Sequence, residues 1–175
     1  MDTKIIDVLR GYAGEDQIVT SHEMKIRLMQ EKSAEYVNVK SGIPGIDEAC
    51  EGFRDGELIT ISGPTKNGKT LLAQTFTYKF SRQAMPPLWF SFEVPARQFL
   101  SQFRHMPLIY MPQKLKPRAM DWFEERAMES FLKYNTRIIF IDHLHYLVDL
   151  AKQAQMSIEI GAIIRRLKSF AVQHN

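Results

Sequence analysis

Apolar and polar positions divide this chain into runs of two kinds. Leu58-Ile59-Thr60-Ile61-Ser62, Leu88-Trp89-Phe90-Ser91-Phe92 and Arg137-Ile138-Ile139-Phe140-Ile141-Asp142 are short and largely apolar. Their β-branched and aromatic content predicts buried strands. Between and after them lie longer stretches with helical spacing. Residues 70–83 hold neither Gly nor Pro and predict a helix. Residues 119–134 carry Trp122, Phe123, Met128, Phe131 and Leu132 on or near one face. Residues 157–174 repeat Ile160, Ile163, Ile164, Leu167, Phe170 and Ala171 and form the clearest helix pattern. Strands alternating with helices predict an α/β fold, a mostly parallel sheet flanked by helices.

Shorter signals fill in the rest. Ile46 to Cys50 reads as one helical turn after the Ser41-Gly42-Ile43-Pro44-Gly45 turn cluster. Phe53-Arg54-Asp55-Gly56-Glu57 is a second turn. Pro86-Pro87 breaks the chain, Pro95 opens a helix through Phe103, and Pro107, Pro112 and Pro117 make 105–118 irregular. Ahead of all this, residues 2–12 and 16–34 are polar, with scattered Ile18, Met24, Ile26, Leu28 and Met29. They predict a short helix, a break at Gly14 and a longer helix, too thin to form a core of their own. This helical extension is expected to dock on something else.

Composition narrows the class. At 175 residues and 45% hydrophobic, the chain is long enough for one domain with a real core. No apolar run approaches the roughly 20 residues that span a bilayer. No signal-peptide pattern opens the chain, and a cytoplasmic protein is expected. Cys50 is the only cysteine, which excludes an intrachain disulfide and a cysteine-based zinc site. A net charge of +3 permits a nucleic-acid partner without arguing for one.

The strongest chemistry lies between the first strand run and the first long helix. Gly63, Pro64, Thr65, Lys66, Asn67, Gly68, Lys69 and Thr70 spell the phosphate-binding loop G-x-x-x-x-G-K-[ST]. Strand, glycine loop and helix is the context that this motif requires. Glycines let successive N–H groups converge on one anion, and the positive end of the helix adds to that field. Lys69 is expected to reach the β and γ phosphates, and the Thr70 hydroxyl to hold Mg²⁺. ATP and Mg²⁺ are therefore the expected ligands.

Other candidates sit at strand ends, where ligands bind in open parallel sheets. Asp142 closes the third apolar run and is expected to join Thr70 in the Mg²⁺ site, largely through water. Glu93 follows the second run. A carboxylate there can activate water beside the γ phosphate, or merely favour the start of a helix; spacing alone leaves both open. His143 and His145 could ligate a metal if a third ligand converged, and the sequence offers no evident one; a phosphate-sensing or core-edge role is favoured. Lys114, Lys116 and Arg118, like Arg165, Arg166 and Lys168, could meet phosphate backbones, but such groups more often form a solvated face.

In order, these segments resemble the ATPase domain of replicative hexameric DNA helicases of the DnaB type. The resemblance is carried by Ser41 to Asp47, Gly52 to Leu58, the phosphate loop, Ser91 to Phe99, Ile139 to His145 and Glu159 to Asn175. It implies a RecA-like core over 41–175, with residues 1–40 as a helical linker that packs on a neighbouring subunit. It implies that Glu93 is the catalytic base and Asp142 the magnesium acid, with Lys69 also catalytic. It implies ATP hydrolysis coupled to movement on single-stranded DNA by a homo-oligomeric ring. His143 and His145 depart from the family's Tyr and Gln. In the family a further strand lies between the phosphate-loop strand and the Asp142 strand, and a γ-phosphate sensor and an arginine finger come later. By that resemblance residues 41–175 are an incomplete ATPase domain, and the chain alone is expected to be weakly active or inactive as an ATPase. Other readings are a RecA-like recombinase or signalling ATPase, a nucleotide-binding module without turnover and, more weakly, a small-molecule kinase.

Overall fold

A computed structural model describes residues 3–14, 16–30, 37–147 and 156–174. The chain divides into two compact units, Met1–Tyr36 and Val37–Asn175. In the first, α1 spans Thr3–Arg10 and α2 spans Ser21–Gln30. The predicted second helix therefore begins later than Asp16. A capping box sets its start: Glu23 accepts hydrogen bonds from the Thr20 N–H and hydroxyl, and its own N–H donates to Thr20 Oγ1. Residues 31–34 of the predicted helix lie outside the described residues. Every residue of α2 is exposed, as a segment without its own core requires.

The second unit holds the α/β part. A small antiparallel pair, β1 (Asn38–Val39) and β2 (Phe53–Arg54), brackets α3 (Pro44–Cys50). Then come α4 (Lys69–Arg82), β3 (Leu88–Ser91), α5 (Ala96–Ser101), α6 (Met120–Tyr134), β4 (Ile139–Asp142), a 3₁₀ turn at Leu144–Leu147 and α7 (Met156–Gln173). β3 and β4 pair in parallel with Leu88 opposite Ile139 and Ser91 opposite Asp142. Tyr110, in the irregular 105–118 segment, adds a parallel bridge to Leu88.

Alternation along the strands builds two cores. Leu88 and Phe90 face one way, onto Phe123 and Ala127 of α6 and Leu167 of α7, with Ile139 and Ile141 beside them. Trp89 faces the other way, onto Ala73 of α4 and Phe99 of α5. Phe140 lies on this side too, its ring stacked 4.6 Å from that of Trp89. Helices thus cover both faces of the short sheet, as parallel pairing demands. Trp89, Phe90 and Phe99 are fully buried; each contributes roughly 2–3 kcal/mol by the area it removes from water. The Trp89 indole N–H donates to Thr77 Oγ1 at 2.8 Å, so the tryptophan also fixes the rotation of α4.

One strand expectation fails. Residues 58–62 have no regular structure, and Leu58, Ile59 and Thr60 are exposed. A strand exists only by pairing, and this run pairs with neither β3 nor β4. The strand that the helicase resemblance inserts between this run and β4 has no counterpart among the described residues. A crevice of about 160 Å³, lined by Leu58, Phe131, Ile139, Ile141, Leu167 and Phe170 among others, borders β4. The same open edge leaves all four residues of β4 half-buried, where full burial was expected. No described helix is long and apolar enough to cross a membrane.

Asp47 ties the start of the second unit together. Its carboxylate accepts the Ser41 N–H at 2.6 Å and the Gly42 N–H at 3.0 Å. Burial pushes this carboxyl up, but the Ser41 and Gly42 hydrogen bonds, with Lys40 nearby, outweigh it and hold it below the ordinary aspartate range. A depressed pKa gives stability that is present above the unfolded value and lost as pH falls through the folded one. Asp47→Ala is therefore expected to lower the thermal midpoint at pH 7. The gap from wild type should narrow once pH drops below about 4. Equal gaps at neutral and acid pH would show that the charge does not hold this turn.

Candidate functional site

The phosphate loop leaves the unpaired 58–62 run and enters α4. Gly68 takes φ +80° at the helix N-cap, a conformation costly for a residue with a Cβ. Lys66 also has a positive φ, 68°, which a non-glycine residue rarely adopts and which the sequence did not signal. Left-handed residues alternating with others turn successive N–H groups toward one concavity. A Cβ built on Gly63 or Gly68 meets nothing within 4 Å, so the loop is open to a ligand. Lys69 Nζ folds over the loop, 3.0 Å from both the Gly63 and Pro64 carbonyls.

α4 anchors the loop to the sheet. Ala73, Gln74, Phe76, Thr77 and Phe80 are buried along one side of this helix. That face brings Thr70, in its first turn, to the end of β4. Thr70 Oγ1 donates to Asp142 Oδ2 at 3.1 Å, joining residues 72 apart in sequence. A hydroxyl and a carboxylate beside a phosphate loop form the hard-oxygen donor set that suits Mg²⁺. These residues therefore fit the ion.

Pairing register brings Glu93 to the same edge. The ladder continues past Ser91, with the Phe92 and Glu93 N–H groups both donating to the Asp142 carbonyl. The Asp142 side chain is 17% exposed and that of Glu93 45%, so the first is sheltered and the second open to water. His143 Nε2 lies 2.8 Å from Glu93 Oε2. Glu93, Asp142 and His143 form one cluster with ligand atoms within 4.8 Å, so the histidine does have converging acids. No local signal foretells this, because Glu93 and His143 are joined only through strand pairing. His145 takes no part in the cluster; its ring stacks on His143 at 5.3 Å.

The basic groups behave as surface residues. Arg166 is held by Asp121 and Glu124, which push its already high pKa further up. Lys168 donates to the Gly56 carbonyl. Lys114, Lys116 and Arg118 are exposed.

Comparison with known proteins agrees with this geometry. Residues 39–108 match the family described as "ATPase: KaiC". The chain is similar to the circadian clock oscillator protein KaiC of Prochlorococcus marinus, 36% identical over 77 residues, covering 43% of this chain and 15% of that protein. It is also similar to the UPF0273 protein PH0284 of Pyrococcus horikoshii, 33% identical over 69 residues, covering 37% of this chain and 28% of that protein. The chain thus spans well under a third of the length of these relatives. The matched segment, which includes the phosphate loop, is similar to KaiC-type ATPase sequences. The replicative-helicase branch is not carried by these matches.

If the loop holds phosphates, Lys69→Ala should abolish Mg²⁺·ATP binding in calorimetry. Unchanged affinity in that variant would remove the loop from the site.

Proposed function

We propose that this chain binds Mg²⁺·ATP on residues 63–70 and hydrolyses it as a RecA-like ATPase, with Glu93 as the base. The observation that carries this reading is the Thr70–Asp142 hydrogen bond at the loop, with Glu93 on the same sheet edge. Loop N–H groups and the N-terminus of α4 bind the phosphates. Lys69 exchanges its two carbonyl contacts for β- and γ-phosphate oxygens. Thr70 and Asp142 would hold Mg²⁺, the acid largely through water, and the ion would offset the negative charge of the phosphates. Glu93, reachable by solvent, orients the attacking water and accepts its proton as the P–O bond to the leaving ADP breaks.

A second, finer reading is a helicase-type motor on single-stranded DNA, assembled as a homo-oligomeric ring. Its support is the run of helicase-like segments at 91–99, 139–145 and 159–175, two of which lie beyond the matched 39–108. In that reading residues 1–40 dock on a neighbouring copy, in keeping with the wholly exposed α2. The similarity to a clock oscillator protein favours a signalling ATPase instead. DNA-stimulated turnover separates the two.

The core proposal is tested under single-turnover conditions, with protein in excess over ATP so that slow hydrolysis is read. Glu93→Gln keeps the shape and loses the base. It should leave the ATP dissociation constant unchanged and slow hydrolysis by about 10²–10⁴-fold. Hydrolysis at the wild-type rate would reduce Glu93 to a helix-start residue. No turnover by the wild-type chain, with ATP bound, would leave a binding module.

A further inference from the structure

His143 stands between the two acids of the site. Its Nε2 is 2.8 Å from Glu93 Oε2, and its Nδ1 is 3.7 Å from Asp142 Oδ1. The two acids thus approach different nitrogens of one ring. The ring therefore stands as a bridge between the two carboxylates. Beyond Asp142 the line continues to Thr70, so one series of contacts runs from the phosphate loop to Glu93. The ring itself is braced. His145 stacks on it at an interplanar angle of 23°, and the following turn is pinned to the end of β3 by the Phe92–Tyr146 stack, 6.0 Å between centroids.

Glu93 needs such a brace. It lies on a bend after β3, with its side chain 45% exposed and three rotatable bonds before its carboxylate. Among the described residues, His143 is the charged or hydrogen-bonding partner of that side chain. A base must hold its water in line with the reacting phosphorus, and a displacement of about 1 Å can cost about 10²-fold in rate. Occupying Oε2 from one side leaves Oε1 directed by the fixed carboxylate plane and available to water.

We propose that His143 is a positioning residue that orients Glu93 for hydrolysis and is dispensable for nucleotide binding. This role rests on the reading of Glu93 as the base. It leaves the histidine outside the reacting atoms: no bond to it forms or breaks, and the proton from water goes to Glu93.

The test compares wild type, His143→Ala, His143→Gln, Glu93→Gln and the His143→Ala/Glu93→Gln double variant. Each is read by single-turnover hydrolysis and by ATP calorimetry. His143→Ala should slow hydrolysis about 10- to 100-fold at an unchanged dissociation constant. His143→Gln, whose amide N–H reaches about as far as Nε2, should recover part of that loss. In the Glu93→Gln background, His143→Ala should add no further loss. A ¹⁵N spectrum gives a readout that needs no turnover: the His143 Nε2 signal should shift in Glu93→Gln.

Full activity in His143→Ala, while Glu93→Gln is slow, would overturn the role of His143 and keep Glu93 as base. Normal activity in Glu93→Gln, or none in wild type, would remove the base and the positioning role together. Equal losses in the Ala and Gln variants, a full His143 effect without Glu93, lost ATP binding in either histidine variant, or an unmoved Nε2 signal would each overturn the inference.

Discussion

The parallel pairing of β3 with β4 is the constraint on which the site depends. Its register sets Ser91 beside Asp142 and carries the ladder on to Glu93. A shift of β3 by one residue would turn Trp89 away from α4 and α5, and Phe90 away from α6 and α7. Both cores would lose their aromatic rings at once. Apolar packing therefore holds the register, and the register holds two acids that have no other reason to meet. The cost of misplacing them is set by the burial of Trp89, Phe90 and Phe99, not by the acids' own weak surface interactions.

α4 does for the phosphate loop what the register does for the acids. Its apolar face lies on Phe140 and Trp89, with Phe80 stacked on Phe140 and Thr77 bonded to the indole. Thr70, in the first turn, is then carried to Asp142. Residues 58–62 pair with no strand, and of this run Ile61 packs on the buried faces of Phe76, Phe80 and Trp89. The loop is therefore held mainly by α4 on its C-terminal side, and Lys69 closes it by binding two of its carbonyls. The same edge that leaves 58–62 unpaired leaves β4 half-covered, so the crevice and the exposed apolar run share one cause.

Much of this was legible in the residues, for definite reasons. α4 and α6 follow from helical spacing without Gly or Pro, α7 from an apolar helical repeat strong enough to carry Gly161, and β3 from a short apolar run bounded by Pro86-Pro87 and Pro95. Local chemistry of that kind needs no partner to be read. The phosphate loop is equally local. Residues 58–62 failed because strandness belongs to a pair, and an apolar β-branched run only offers itself for pairing. The start of α2 was written in Thr20 and Glu23, a capping box that the apolar spacing overlooked. The His143–Glu93 contact was out of reach, since the two residues lie far apart along the chain and only the ladder joins them.

Nucleotide chemistry is the centre of this account, and it makes a claim about place. Amide spectra of the isotopically labelled chain, titrated with a non-hydrolysable ATP analogue and then with Mg²⁺, test it most directly. The account predicts that the largest amide shifts on adding the analogue fall on residues 63–70, and that Asp142 moves only when magnesium follows. Loop amides that stay still at saturating analogue, with shifts confined to other surfaces, would contradict it.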